Sequence, residues 1–205
     1  MKSNSLYLLF LYFGLFVACT EKKHATVTEN NFMTILVQPF KDIKPENVAF
    51  VTQEIKKVYP NVQVLKPIDF PDNAYYRERN RYRADSIIKV LQEKTKPGYV
   101  TVALTSKDIS VTKGRVKDFG VMGLGYRPGR ACVASQFRLD KENSNKQLFK
   151  VAIHELGHTQ GLKHCADKTC FMRDAEGKNP TNEEIDFCKQ CKTFLLHKNW
   201  KFNSI

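Results

Sequence analysis

Three of the five histidines in this 205-residue sequence fall within eleven residues, in the run AIHELGHTQGLKHC from Ala152 to Cys165. On an α-helix His154 and His158 stand one turn apart, about 6 Å along the axis, and face the same way. Both imidazoles then reach a single ion at about 2.0–2.1 Å. Glu155 sits beside the first of them, placed to reach a water on that ion without ligating it. Gly161 lets the helix stop in a left-handed turn, so that His164 returns to the ion from another direction. Three imidazoles leave a fourth position open for water, which separates a catalytic zinc site from a closed structural one. The chemistry expected is peptide-bond hydrolysis by Glu155-assisted attack of a zinc-bound water. The metal lowers the water's pKa toward about 7 and polarises the carbonyl, and Glu155 carries the proton to the departing amine. Two histidines one turn apart can also merely solvate a helix. A third at +10 and a glycine at +7 are not needed for that.

A second cluster follows at once. Cys165, Cys170, Cys188 and Cys191 crowd the C-terminal part of the chain. Four thiolates make a closed tetrahedral zinc site, whereas an oxidising compartment would favour disulfides or a redox-active CxxC. Cys132, in an apolar run, reads as a buried strand residue.

The elements that must position these groups are legible upstream. Met33–Phe40 is an apolar β-rich run ended by proline, a first buried strand. Pro45 opens a helix with Val48, Val51, Ile55 and Val58 on one stripe and Pro60 after its end. Val62–Ile68 reads as a second strand, Tyr82–Glu93 as a second helix and Tyr99–Ser106 as a central strand. That alternation implies a partly parallel sheet with crossover helices. Asp118–Tyr126 and Ala131–Leu139, joined by RPGR, read as a hairpin. Its first arm holds glycines at 120, 123 and 125, which suit an edge beside a ligand. The segment Gly123, Leu124, Gly125 is expected to pair with extended substrate, with Tyr126 and Arg138 as further contacts. A last helix is expected from about Glu183 to Leu196, capped by Thr181 or Asn182.

The first residues read differently. Lys2 precedes thirteen apolar residues, Leu6 to Ala18, too few to span a bilayer as a helix and apt for an export signal. FVAC, Phe16 to Cys19, resembles a lipobox, so residues 1–18 are expected to be removed and Cys19 acylated. Residues 19–31 then form a polar tether to a bacterial membrane, on its periplasmic or cell-surface side, and 32–205 a single domain. Hydrophobic residues make up 42%, ordinary for a globular chain. The net charge of +12 is scattered and carries no nucleic-acid module, so no nucleic-acid partner is expected.

HELGHTQGLKHCADKTCFM, His154 to Met172, followed by CKQC, Cys188 to Cys191, resembles the archaemetzincins, a branch of the metzincin zinc peptidases. The interval from Met172 to Cys188 is slightly shorter than the family's pattern. The resemblance implies a compact α/β domain with a mixed twisted sheet, crossover helices and an active-site helix. It implies two zinc ions, one catalytic on the three histidines and one structural on Cys165, Cys170, Cys188 and Cys191. Met172 would be the Met-turn residue, an apolar floor beneath the imidazoles. Peptides are the substrate implied, short or at exposed chain termini, in some members by aminopeptidase action, with the protein acting as a monomer. The competing reading is an exported zinc-containing binding or scaffold protein with vestigial catalysis; Glu155, which metal binding alone does not require, weighs against it.

Overall fold

The computed structural model describes residues 32–203. The export segment, Cys19 and the whole of the tether lie outside these residues. No described helix is long and apolar enough to cross a membrane.

Strand β1, Thr34–Pro39, leads into helix α1, Pro45–Val58. The helix starts where Pro45 fixes φ at the first turn, and Glu46 and Lys56/Lys57 sit at the ends that suit their charges. Its buried stripe is Val48, Val51, Thr52 and Ile55. Strand β2 covers only Val62–Val64, and the chain onward to Ile68 keeps a single bridge to Phe40. After strand β3, Tyr75–Tyr76, and strand β4, Arg81–Arg83, comes helix α2, Ala84–Lys94. The second helix therefore starts two residues later than its periodicity suggests. Tyr82 is held extended because its N–H donates to the Asp108 carbonyl at 2.9 Å.

Strand β5, Tyr99–Thr105, is central. Strands β6, Ile109–Lys113, β7, Val116–Val121, β8, Gly123–Gly125, and β9, Ala131–Ser135, complete the set. Two mixed sheets result. One has the order β2-β1-β5-β9-β8, parallel throughout except for antiparallel β8; the other has the order β3-β4-β6-β7.

The expected hairpin is thus corrected. Only Gly123–Gly125 pairs with β9, while Val116–Val121 pairs with β6 in the second sheet. Ile109–Lys113 supplies the partner that draws the first arm away. The Arg138 guanidinium, lying in the space a Cβ at Gly120 would take, sits against that arm.

The larger sheet is covered on both faces. Val100, Val102, Leu104, Cys132 and Ala134 face one core with α1 and helix α3, Ser144–Thr159. Ala103, Ala131 and Val133 face the other, with Ile87, Ile88 and Leu91 of α2. Burial on both faces is why β5 and β9 read as continuous apolar runs.

The last helix, α4, runs only from Lys189 to His197, with Cys188 as its N-cap residue. Residues 181–187 are not helical. The Ile185 N–H donates to the Thr169 carbonyl at 2.8 Å, and the Phe171 N–H donates to the Asp186 carbonyl at 2.9 Å. These cross-links hold the segment against 169–171, and Asn182, expected as a cap, instead accepts from Gln147 at 2.9 Å.

Candidate metal centre and active-site cleft

Helix α3 is buried on nearly every side, with Leu148, Val151, Ala152, Ile153 and Leu156 in the core. That packing fixes the direction in which His154 and His158 project. The helix ends as expected: Gly161 takes φ +101°, its N–H donates to the His158 carbonyl at 2.8 Å, and the Leu162 N–H donates to the Gly157 carbonyl at 3.1 Å. The reversal brings His164 back. The three rings surround one point, with centroid separations of 4.6, 5.4 and 4.9 Å, and one ligand nitrogen from each lies within 4.8 Å of the others.

Each imidazole is oriented through its other nitrogen. His154 Nδ1 donates to the Phe171 carbonyl at 2.6 Å, and His158 Nδ1 donates to the Leu162 carbonyl at 2.8 Å. His164 Nδ1 faces Asp174 Oδ2 at 3.0 Å. A carbonyl only accepts, so these Nδ1 atoms carry the hydrogen and leave the Nε2 lone pairs free for a metal. The turn that returns His164 thereby also holds His158. Burial, with the neighbouring rings, pushes His154 down to about 3, and burial likewise lowers His158. Both rings are neutral and able to ligate at physiological pH. Only His164 has a carboxylate behind it; backbone carbonyls hold the other two rings.

Glu155 is 7% exposed, and burial pushes its carboxyl up to about 8. It lies under edge strand β8 at a separation only glycine permits. A Cβ at Gly123 would come 2.6 Å from Glu155 Oε1, and one at Gly125 would come 2.8 Å from the Glu155 carbonyl and 3.2 Å from Oε2. The two glycines leave room for the acid as well as keeping the edge clear. Met172 is fully buried beneath the helix, its sulfur against Gly157. The adjoining Phe171 carbonyl is the one that holds His154.

The four cysteines gather beside this site. Cys165 and Cys188 Sγ are 3.7 Å apart, as are those of Cys170 and Cys191, and all four lie within 4.8 Å of one another. Tetrahedral bonds of about 2.3 Å to one zinc place sulfurs roughly 3.8 Å apart, whereas a disulfide needs about 2.05 Å. Burial pushes the Cys170 thiol up to about 11, and the N–H groups of Met172 and Cys188, which donate to its Sγ at 3.4 and 3.3 Å, act against that rise. Both donor sets fit zinc. Cys132 is fully buried in β9 and free.

A cleft of about 730 Å³ runs over the histidines. Gly123, Leu124 and Gly125 line it, together with Arg138, which is tied to Asp108 by two 2.9 Å hydrogen bonds. Tyr126 does not line it and packs instead against the α2-side core. The neighbouring Arg127 takes the wall position, and its charge helps depress His158. Lys150, Asp174 and Glu184 also line the cleft and were not singled out by sequence reasoning. Of these, only Asp174, two residues past Met172, carried a usable signal.

Residues 26–197 match the family model described as Peptidase family M54. The chain is 32% identical over 170 residues to the archaemetzincin of Archaeoglobus fulgidus, covering 80% of this chain and all of that protein. It is 30% identical over 178 residues to the archaemetzincin of Halobacterium salinarum, covering 78% and 98%. Among solved structures, the Archaeoglobus fulgidus archaemetzincin complexed with malonate superposes with a TM-score of 0.68 at 30% identity, covering 79% of this chain and 99% of that one. The Methanopyrus kandleri archaemetzincin gives 0.71 at 27%, covering 84% and 98%.

Proposed function

The chain belongs to peptidase family M54, the archaemetzincins, zinc metallopeptidases of mixed α/β fold, and on that footing we propose that it hydrolyses peptide bonds in short peptides or exposed chain termini with Glu155 as the proton-transferring residue. The observation that carries this reading is the Glu155 carboxyl, buried under the edge strand and beside three converging imidazoles.

In this proposal His154, His158 and His164 hold one zinc, and Cys165, Cys170, Cys188 and Cys191 hold a second, structural one. When bound, the catalytic ion supplies a Lewis acid that polarises the scissile carbonyl and acidifies water. The remaining work falls to the chain. Strand β8 offers free edge N–H and C=O groups, on which an extended peptide adds antiparallel as a further strand. The carboxyl of Glu155, starved of solvent, takes the proton of the attacking water when it is ionised and returns it to the leaving amine. A carboxylate whose pKa stands high is the stronger base, so it takes the water's proton more readily than an exposed one would. Met172 and the Phe171 carbonyl keep the His154 ring in place, and Asp174 does the same for His164. The Cys165 thiolate, adjacent to His164, ties the third ligand to the structural site.

Export, removal of residues 1–18 and acylation of Cys19 belong to the same reading and rest on the Leu6–Cys19 sequence alone. We take the protein to act as a monomer on peptides, without a nucleic-acid partner. Zinc counting combined with peptide-library cleavage tests the enzyme. Incorporation of a fatty-acid analogue, lost in Cys19→Ser, tests the anchor.

A further inference from the structure

One buried acid on the cleft wall has no part in that chemistry. Glu184 is 4% exposed, lines the cleft, and its Oε2 is buried without a hydrogen-bond partner. Its segment is clamped to the early turns of α3. Gln147 donates to Asn182 at 2.9 Å, Asn179 donates to Gln147 at 2.8 Å, and Lys150 Nζ donates to the carbonyls of Thr181 and Glu184, each at 2.6 Å. Lys150 is therefore turned onto backbone oxygens rather than onto the carboxylate. The other nearby cation, Arg173, is paired with Glu183 at 2.6 Å. A buried carboxylate without a partner is costly, and burial pushes this one up to about 7 despite the two cations.

The direction of bound substrate follows from β8. Gly123 lies over Val151 and Glu155, and Gly125 lies over the Glu155 carbonyl. Beyond them the Gly129 N–H reaches the Thr159 carbonyl at 3.0 Å. Strand and helix thus run in the same sense. A peptide antiparallel to β8 runs the opposite way, so residues after the scissile bond head toward Val151, Lys150 and Glu184.

We propose that Glu184 closes the subsite for the residue following the scissile bond and selects lysine or arginine there, an inference that rests on the peptidase reading. The stem of such a side chain lies along Val151 and Pro180, both cleft-lining, and its head supplies the missing donor. An aliphatic side chain leaves Oε2 unpaired, and an acidic one adds a like charge.

Two zinc-binding peptide hydroxamates, differing only in lysine or norleucine at this position, are titrated into the zinc-loaded full chain, and the matching peptides are assayed for cleavage. The lysine ligand is expected to bind at least about tenfold more tightly, the scale of one buried charged hydrogen bond. Glu184→Gln should abolish that ratio, and Glu184→Asp should keep part of it. Equal binding of the two ligands to the unmodified chain overturns the proposal, even if the variants fail to fold. So does a preference that survives in Glu184→Gln. Cleavage without discrimination sinks this subsite alone, whereas discrimination without cleavage supports it and counts against the peptidase reading.

Discussion

The sulfur of Met172 fills the space that a side chain on Gly157 would need. Met172 is fully buried and has nowhere to retreat. Gly157→Ala gains about 1 kcal/mol of helix propensity but costs about 1–3 kcal/mol through overpacking. Lower thermal stability and weaker zinc binding at the histidines are expected. In a Met172→Ala background the same substitution should be neutral or stabilising, and a double-mutant cycle measures that coupling. Zero coupling would mean that the contact carries no energy.

His164 is the most exposed of the three imidazoles, 45% accessible, and Asp174 beside it is 54% accessible. Its orientation depends on that one carboxylate. Asp174→Asn should weaken zinc at the histidine site by about tenfold, the lower end of such outer-shell effects, and chelator competition reads it directly. Unchanged affinity would show that His164 needs no such support.

Cys170→Ser removes a proposed zinc ligand whose sulfur receives two backbone N–H groups. One fewer zinc per chain is expected, with a lower unfolding temperature. Because Cys165 adjoins His164, retention of the remaining ion should also fall. An unchanged zinc count by elemental analysis would refute the four-cysteine site.

Metal-free protein should show a pH dependence set by the buried site. Glu155 has a folded pKa of about 8 against 4.5 in the unfolded chain. Its contribution is full below 4.5 and is lost as pH rises to 8. His154 goes the other way, with a folded pKa of about 3 against 6.5; its contribution is complete above 6.5 and is lost as pH falls. From pH 6.5 to 8 only Glu155 of this pair changes. Glu155 should contribute at most about 1.4 kcal/mol per pH unit to the decline over that window, and Glu155→Gln should remove that share. Denaturant unfolding of both proteins at the two pH values gives the comparison, and equal slopes would contradict the buried acid.

The parts of the molecule written locally were legible in the sequence. The Val48, Val51, Ile55 stripe, the doubly buried β5 and the His154–His164 run each depend on residues close together in the chain. The second sheet was not legible. Its strands β3 and β4 hold two and three residues, and a long-range network secures them: Arg81 and Arg138 both bind Asp108, and Arg81 also reaches Asp118. No local periodicity announces such partners.

The site divides along the same line. The three converging histidines and Glu155 come from a single helix and turn, so spacing alone showed that they lie together. Two of the three groups behind the histidines are carbonyls, which every residue carries, and only the fold selects Phe171 and Leu162. The start of α4 was misplaced because 181–187 has helical composition, yet it spends its backbone groups on Thr169 and Phe171. Nothing local separates Glu184 from its neighbour Glu183, and its burial depends on the Gln147 clamp.

The most direct measurement is peptide cleavage by the zinc-loaded chain and its Glu155→Gln variant, with zinc counted in the same samples. The variant should keep the same zinc content and bind hydroxamate, while kcat falls by about 10²–10⁴-fold, the usual share of a general acid–base. Equal turnover by the two proteins, or no cleavage of any library peptide by the intact chain at full zinc occupancy, would contradict the assignment of Glu155.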